Sequence, residues 1–149
     1  MKKVILTITL IGGLFFVFYV LFLLSFIYKP FKYDVNKLND LTVSEIYKIH
    51  GNPIHDVQVK GFQTWEFANS NLIQTLRINT NSENINYLQQ KPTMIVIKKL
   101  YDLNGTTYVS LSQILVDQQI KCTLKIWPFK ELVLSSKVFN SNGSNKCKF

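Results

Sequence analysis

The sequence has few of the residues that would point to a specific chemistry. Alanine occurs once, at Ala68, and histidine twice among 149 residues, whereas asparagine, isoleucine and lysine are plentiful, as expected from a base-composition bias of the source genome. The nine acidic residues are mostly isolated, so paired carboxylates for acid–base catalysis are scarce. No Walker loop, G-x-G-x-x-G or G-x-S-x-G motif is present. These absences favour a protein without catalytic residues or a cofactor.

Cysteine is also scarce, which excludes the common cysteine-based metal sites. Cys122 and Cys147 are the full set, and neither belongs to a CxxC or a Cys/His pattern. In an oxidising compartment one disulfide between them is plausible. It would close a loop of roughly 25 residues and stabilise the fold by about 3 kcal/mol. The alternative is two free thiols, which a cytoplasmic domain would favour.

The two histidines do not form a recognisable metal site. His50 and His55 lie on either side of a Gly-x-Pro turn, and Asp56 is adjacent. A metal ion would need a third ligand, and helical i,i+4 spacing is absent. We therefore predict ordinary turn or surface histidines and no metal.

The longest uncharged stretch runs from Val4 to Tyr28 and is predominantly apolar. As a helix it would extend roughly 37 Å, enough to cross a hydrocarbon core of about 30 Å with some tilt. A cleaved signal peptide has an apolar core of only about 7–15 residues and a small-residue cleavage site. Here Ser25 is the only small candidate near the end of the run. We therefore predict an uncleaved transmembrane anchor that contacts the lipid bilayer through Val4–Tyr28.

The charges around this run bear on its orientation. Lys2, Lys3 and the terminal amine favour a cytoplasmic N-terminus, although Lys29, Lys32 and Lys37 follow the other end. We predict a single-pass protein of the inner (cytoplasmic) membrane with its domain in the periplasm or outside the cell. In the opposite topology the domain would be cytoplasmic and its lysines would contact the inner leaflet.

The chain is basic, with a formal net charge of +8. A basic exported domain could contact anionic lipids, acidic glycan or an acidic partner protein. The anchor and the scattered lysines argue against nucleic acid. Together with the two tryptophans, the densest lysine positions form the predicted interaction surface: Trp65, Lys98, Lys99, Lys121, Lys125 and Trp127.

A short helix is predicted over Leu41–His50. Thr42 and Glu45 have the spacing of a capping box at its start. Gly51 provides a left-handed residue at its end, and Pro53 prevents continuation. Before it, residues 29–40 are predicted to be a loose juxtamembrane linker.

After the helix, apolar residues begin to recur at every second position, which is typical of strands. The dipeptide Asn104-Gly105 is a strong hairpin signal. Strands are predicted at Phe62–Phe67, Leu72–Ile78, Met94–Leu103, Thr106–Val116, Ile120–Ile126 and Glu131–Phe139, with a helical alternative for Ser112–Gln119. The predicted organisation is an anchor (1–28), a linker (29–40), an α+β domain (41–139) of one short helix packed on a mainly antiparallel sheet, and a polar tail (140–149).

The segment Leu41–Pro53, followed by Trp65–Phe67, resembles the SmpA/OmlA-type domain, the small module of the BamE lipoproteins and related envelope proteins. The matching positions are Thr42, Glu45, Gly51, Pro53 and Trp65. The resemblance implies an α+β fold and an envelope location. This chain departs from the pattern because it has a transmembrane run instead of a lipidated cysteine, lacks an evident second helix before the sheet, and has a longer sheet.

Two classes of function are compatible with these features. The first is an envelope interaction module that binds a protein partner or a cell-wall polymer, without a small-molecule cofactor. The second is an enzyme or inhibitor acting on envelope polymers, with a site around Trp127, Lys130 and Glu131. The absence of a catalytic motif favours the first.

Overall fold

The computed structural model describes residues 2–58, 61–81 and 86–138. The chain divides into two units, Met1–Pro30 and Phe31–Phe149. The predicted tail 140–149, with Cys147, lies outside the described residues. Cys122 is buried in the domain, and its disulfide to Cys147 stays a prediction.

The first unit contains the long apolar helix that the sequence predicts. Helix α1 spans Lys2–Tyr28, and its mean hydropathy reaches 2.6 over its most apolar window. Its apolar side chains are largely exposed; Phe15, for example, is 71% exposed. The hydroxyls of Thr7 and Thr9 donate to the carbonyls four residues earlier, which satisfies polar groups that an apolar medium would leave unpaired. Among the described helices, α1 alone is long and apolar enough to cross a bilayer.

The domain begins with two short helices rather than the single predicted one. Helix α2 spans Val35–Asn39, within the segment predicted to be a loose linker, and α3 spans Val43–His50. Asp34 caps α2 through its Oδ1, which accepts the Asn36 N–H at 3.0 Å. Val35 and Leu38 are buried, so packing on the sheet stabilises this helix. The segment is otherwise polar, and its sequence pattern therefore does not predict a helix.

The predicted capping box and glycine terminus of α3 are both present. The Thr42 N–H donates to Glu45 Oε2 at 2.7 Å, and the Glu45 N–H donates to Thr42 Oγ1 at 3.4 Å. The hydrogen bond from the Thr42 backbone is the main cause that lowers the pKa of Glu45. At the other end Gly51 has a φ of 76°, which favours glycine, and its N–H donates to the Tyr47 carbonyl at 2.8 Å.

The rest of the described domain is an antiparallel meander. Its strands follow one another across the sheet in chain order. They are β1 (His55–Val57), β2 (Phe62–Asn69), β3 (Leu72–Asn79), β4 (Met94–Leu103), β5 (Thr106–Val116), β6 (Gln119–Ile126) and β7 (Leu132–Val138), with a 3-10 turn at Tyr87–Gln89 before β4. The fold is therefore α+β. Strand β1 was not predicted, and the helical alternative for Ser112–Gln119 is wrong, because this segment begins within β5 and ends at the first residue of β6.

One face of the sheet packs against the short helices to form the core. The buried apolar residues include Leu76, Ile78, Ile95, Ile97, Leu115 and Ile120 from the strands and Val35, Leu38, Val43 and Ile46 from the helices. Trp65 of β2 connects the two layers, because its Nε1 donates to the Gly51 carbonyl at 2.8 Å and its ring meets Tyr47 edge-on at 5.4 Å. The turn after α3 is thereby tied to the sheet.

We expect Thr42→Ala to lower the free energy of unfolding by about 1 kcal/mol, because the first turn of α3 would lose its capping hydroxyl. The measurement is urea unfolding of the full chain in detergent. Lys48→Ala, at an exposed position of the same helix, is the control and should have little effect. Equal losses in the two variants would contradict a specific role of the cap.

Candidate interaction surface

The face of the sheet that points away from the helices carries four cations. Cross-strand partners share a face, and alternate residues along a strand return to it. Lys98 of β4 is opposite Ser112 of β5, and Ser112 is opposite Thr123 of β6. Lys121 and Lys125 lie two residues before and after Thr123, so all three lysines lie on this face.

Arg77 of β3 joins the same face, because its partner on β4 is Val96, two residues before Lys98. Its guanidinium lies 4.3 Å from the centroid of the Phe62 ring, a cation–π contact that restrains the side chain. We define the cationic face as Arg77, Lys98, Lys121 and Lys125. Arg77, Lys121 and Lys125 are exposed, and Lys98 is half-buried.

Small hydroxyl side chains lie between these cations. Ser110, Ser112 and Thr123 are 6%, 7% and 3% exposed, on the same face. Thr123 Oγ1 donates to the Glu131 carboxylate. Glu66 also lies on this face, since it is opposite Thr75, which is opposite Lys98. The positive charges therefore outnumber the negative ones; small polar groups lie between the three lysines, and the apolar Val96 and Ile114 lie between Arg77 and Lys121.

Two residues of the predicted interaction surface are not accessible. Trp65 is 3% exposed and Lys99 is fully buried, both on the helix-covered face. The Lys99 Nζ lies 4.9 Å from the centroid of the Phe31 ring. The burial of Lys99 could have been predicted from the sequence, because adjacent strand residues such as Lys98 and Lys99 must point to opposite faces of the sheet.

Trp127 is exposed, but it does not lie in a strand. It follows β6, is 55% exposed, and meets the Tyr108 ring edge-on at 5.8 Å between centroids. Its backbone N–H donates to the Tyr108 carbonyl at 2.7 Å. The structure thus brings Lys98, Lys121 and Lys125 together and places Trp127 at one end of the sheet, just beyond β6.

Asp56, next to the predicted turn histidines, is a hub of structural hydrogen bonds. Its Oδ2 accepts the hydroxyls of Tyr47 at 2.9 Å and Tyr87 at 3.3 Å, and its Oδ1 accepts Gln63 Nε2 at 3.2 Å. Burial, with a smaller effect of the bond to Asp56, raises the pKa of Tyr47. Sequence reasoning did not identify this cluster, whose members come from α3, β1, β2 and the 3-10 turn.

Within the residues that the structure describes, no three histidine, cysteine, aspartate or glutamate side chains are grouped as metal ligands. Comparison with protein-family models, with curated proteins and with solved structures found no match. The resemblance to SmpA/OmlA-type domains therefore stays a proposal.

His50 lies at the end of α3 with its ring edge-on to Tyr33, 5.1 Å between centroids. Burial, and secondarily the Lys32 ammonium, lowers the pKa of His50. The unfolded chain therefore takes up the proton more readily. The resulting contribution to stability is fully present above the unfolded pKa of about 6.5 and is lost as the pH falls through the lower folded value.

We expect the thermal midpoint of the full chain in detergent to fall between pH 7 and pH 5, and to fall less in His50→Asn, because asparagine does not titrate in this range. The same substitution at His55, an exposed position in β1, is the matched control and should retain the fall seen in the parent. An unchanged pH dependence in His50→Asn would refute the assignment.

Proposed function

We propose that this chain is a membrane-anchored protein of the bacterial envelope whose domain binds an acidic partner protein through the cationic face. The observation that supports this function best is the gathering of Arg77, Lys98, Lys121 and Lys125 on the open side of the sheet. Helix α1 serves as the anchor, since it is long and apolar enough to span a bilayer.

The geometry of the sheet gives this face a defined charge spacing. Lys121 and Lys125 are four residues apart in β6, which corresponds to about 13 Å along the strand. Arg77 lies three strands away from Lys121, about 14 Å across the sheet. The strands hold the backbone rigidly and so fix the spacing of the cations for a broad acidic surface, while each lysine side chain still loses rotamer freedom on binding. Such an interface gains rate and specificity from complementary charge and weakens with salt.

The envelope location is inferred from the sequence. Lys2 and Lys3 favour a cytoplasmic N-terminus, and the resemblance to SmpA/OmlA-type domains suggests an exported domain. An exported domain would also permit the disulfide between Cys122 and Cys147. A binding role is favoured over an enzymatic one at Trp127, Lys130 and Glu131 because the sequence contains no catalytic motif around these residues.

Charge reversal of the cationic face should abolish partner capture. A photo-crosslinking residue at Thr75, on the same face, should yield a reproducible adduct with one envelope protein in intact cells. In the triple variant K98E/K121E/K125E the adduct should fall about tenfold or more, because three favourable charge contacts become repulsive.

The matched control is K37E/K48E/K91E, which changes the net charge equally at exposed lysines outside the sheet. It should retain the adduct. An equal loss in both variants would attribute binding to net charge alone. A smear of polymer adducts instead of one protein would favour a cell-wall ligand and would contradict the proposed partner class.

The topology makes a separate prediction. A reporter fused after Phe149 that is active only outside the cytoplasm should be active, and a cytoplasm-dependent reporter at the same site should be silent. The control is the same pair fused before Met1, which should give the reverse result. A cytoplasm-dependent reporter that is active after Phe149 would place the domain inside the cell and refute the proposed location.

A further inference from the structure

The turn between β6 and β7 carries a cluster of exposed apolar side chains. Trp127, Phe129 and Leu132 are 55%, 69% and 58% exposed, all within one short segment. Large apolar side chains grouped on a surface mark contact with another molecule or a membrane, whereas single ones do not.

Backbone hydrogen bonds hold this turn in place. The Trp127 N–H donates to the Tyr108 carbonyl and the Phe129 N–H donates to the Ile126 carbonyl, both at 2.7 Å. The Tyr108 ring supports the indole from the side. The apolar side chains are therefore presented outward on an ordered support, so little entropy is lost when they bind.

The charges beside the turn indicate an anionic occupant. Lys125 precedes the apolar cluster and Lys130 lies within it. Glu131 is the one acidic residue in this stretch, and its carboxylate accepts the Thr123 hydroxyl. Tryptophan with lysine is typical of the membrane interface, where the ring enters the headgroup layer and the ammonium meets lipid phosphate.

The domain's own N-terminal residues lie at the same end of the sheet. One cross-strand row contains Phe67, Gln74, Lys99, Leu111, Leu124 and Leu132. The Lys32 N–H donates to the Gln74 side chain at 2.6 Å, and the Lys32 Nζ lies 3.6 Å from the centroid of the Phe67 ring. The chain therefore enters the domain at the β2–β3 side of this row, at the same end of the sheet as the exposed turn and about 19 Å from β7 across the strands.

Chain connectivity then identifies the occupant. Helix α1 ends at Tyr28, and only Lys29 and Pro30 separate it from Phe31, where the domain begins. If α1 spans a bilayer, this short connection gives the adjoining end of the sheet a high effective concentration at the lipid surface. A soluble partner has no such advantage.

We propose that the β6–β7 turn is a second membrane contact, in which Trp127, Phe129 and Leu132 enter the interfacial layer of an anionic bilayer and Lys130 meets a lipid phosphate. This inference goes beyond partner binding by the cationic face and requires only that α1 is in the bilayer. The contact would set the orientation of the domain and leave the open face of the sheet free for its partner.

Tryptophan fluorescence of the full chain in vesicles tests this contact. The vesicles contain phosphatidylcholine with about 30% phosphatidylglycerol, with or without brominated acyl chains. The difference between the parent and Trp127→Phe isolates the Trp127 signal, because Trp65 is the other tryptophan and is buried. We expect Trp127 emission to shift to shorter wavelength, to be quenched by the brominated lipid and to be shielded from iodide.

The matched control is Val116→Trp in the Trp127→Phe background. Val116 is 40% exposed and lies at the opposite end of β5 and β6, about 23 Å away along the strand. An indole at that position should stay accessible to iodide and unquenched by brominated lipid. Phe129→Ser, at a position that is 69% exposed, should reduce the quenching of Trp127 without unfolding the domain.

Lys130→Gln should weaken the quenching in anionic vesicles while retaining the crosslink at Thr75, whereas K98E/K121E, which leaves Lys125 beside the turn intact, should reduce the crosslink and retain the quenching. These two results separate failure of the membrane contact from failure of the proposed function. A Trp127 indole that is as accessible to iodide in vesicles as the indole of the Val116→Trp control would overturn the inference. Equal quenching at positions 116 and 127 would also overturn it.

Discussion

The domain depends on the need to keep one face of a meander sheet away from water. Strands β3 and β4 present isoleucine and leucine on that face, and α2 and α3 cover them. Helices of five and eight residues are too short to be stable in isolation. Packing on the sheet stabilises both helices. The Trp65 indole N–H also donates a hydrogen bond to the Gly51 carbonyl, which holds the end of α3 on the sheet.

Covering one face leaves the other available for binding. Residues alternate along each strand, so the side chains between the core positions form a second surface with its own composition. On that surface small buried hydroxyls lie between Lys98, Lys121 and Lys125, and Arg77 is in the same row as Lys121. The same alternation sends Lys99 into the covered side, beside Phe31. A pair of adjacent lysines thus contributes one cation to each face.

Several local features could be predicted because their physical cause lies within a few residues. The uncharged run of α1, the Thr42–Glu45 cap and the Gly51 terminus all formed as expected. At the predicted hairpin both Asn104 and Gly105 have positive φ, as a primed turn requires. Helix α2 was missed because its two buried residues, Val35 and Leu38, gain their stability from distant strands.

The sequence alone determined the apolar N-terminal helix, the α+β class, the hairpins and the basic charge. Each follows from composition or from the spacing of apolar and turn residues over a few positions. The tertiary structure decided which lysines share a face, that Trp65 is a core residue, and that Asp56 joins four elements by hydrogen bonds. It also decided that Trp127 and Phe129 stay exposed at the end where the chain enters the domain. These outcomes depend on strand register and helix packing, which bring together residues far apart in the chain.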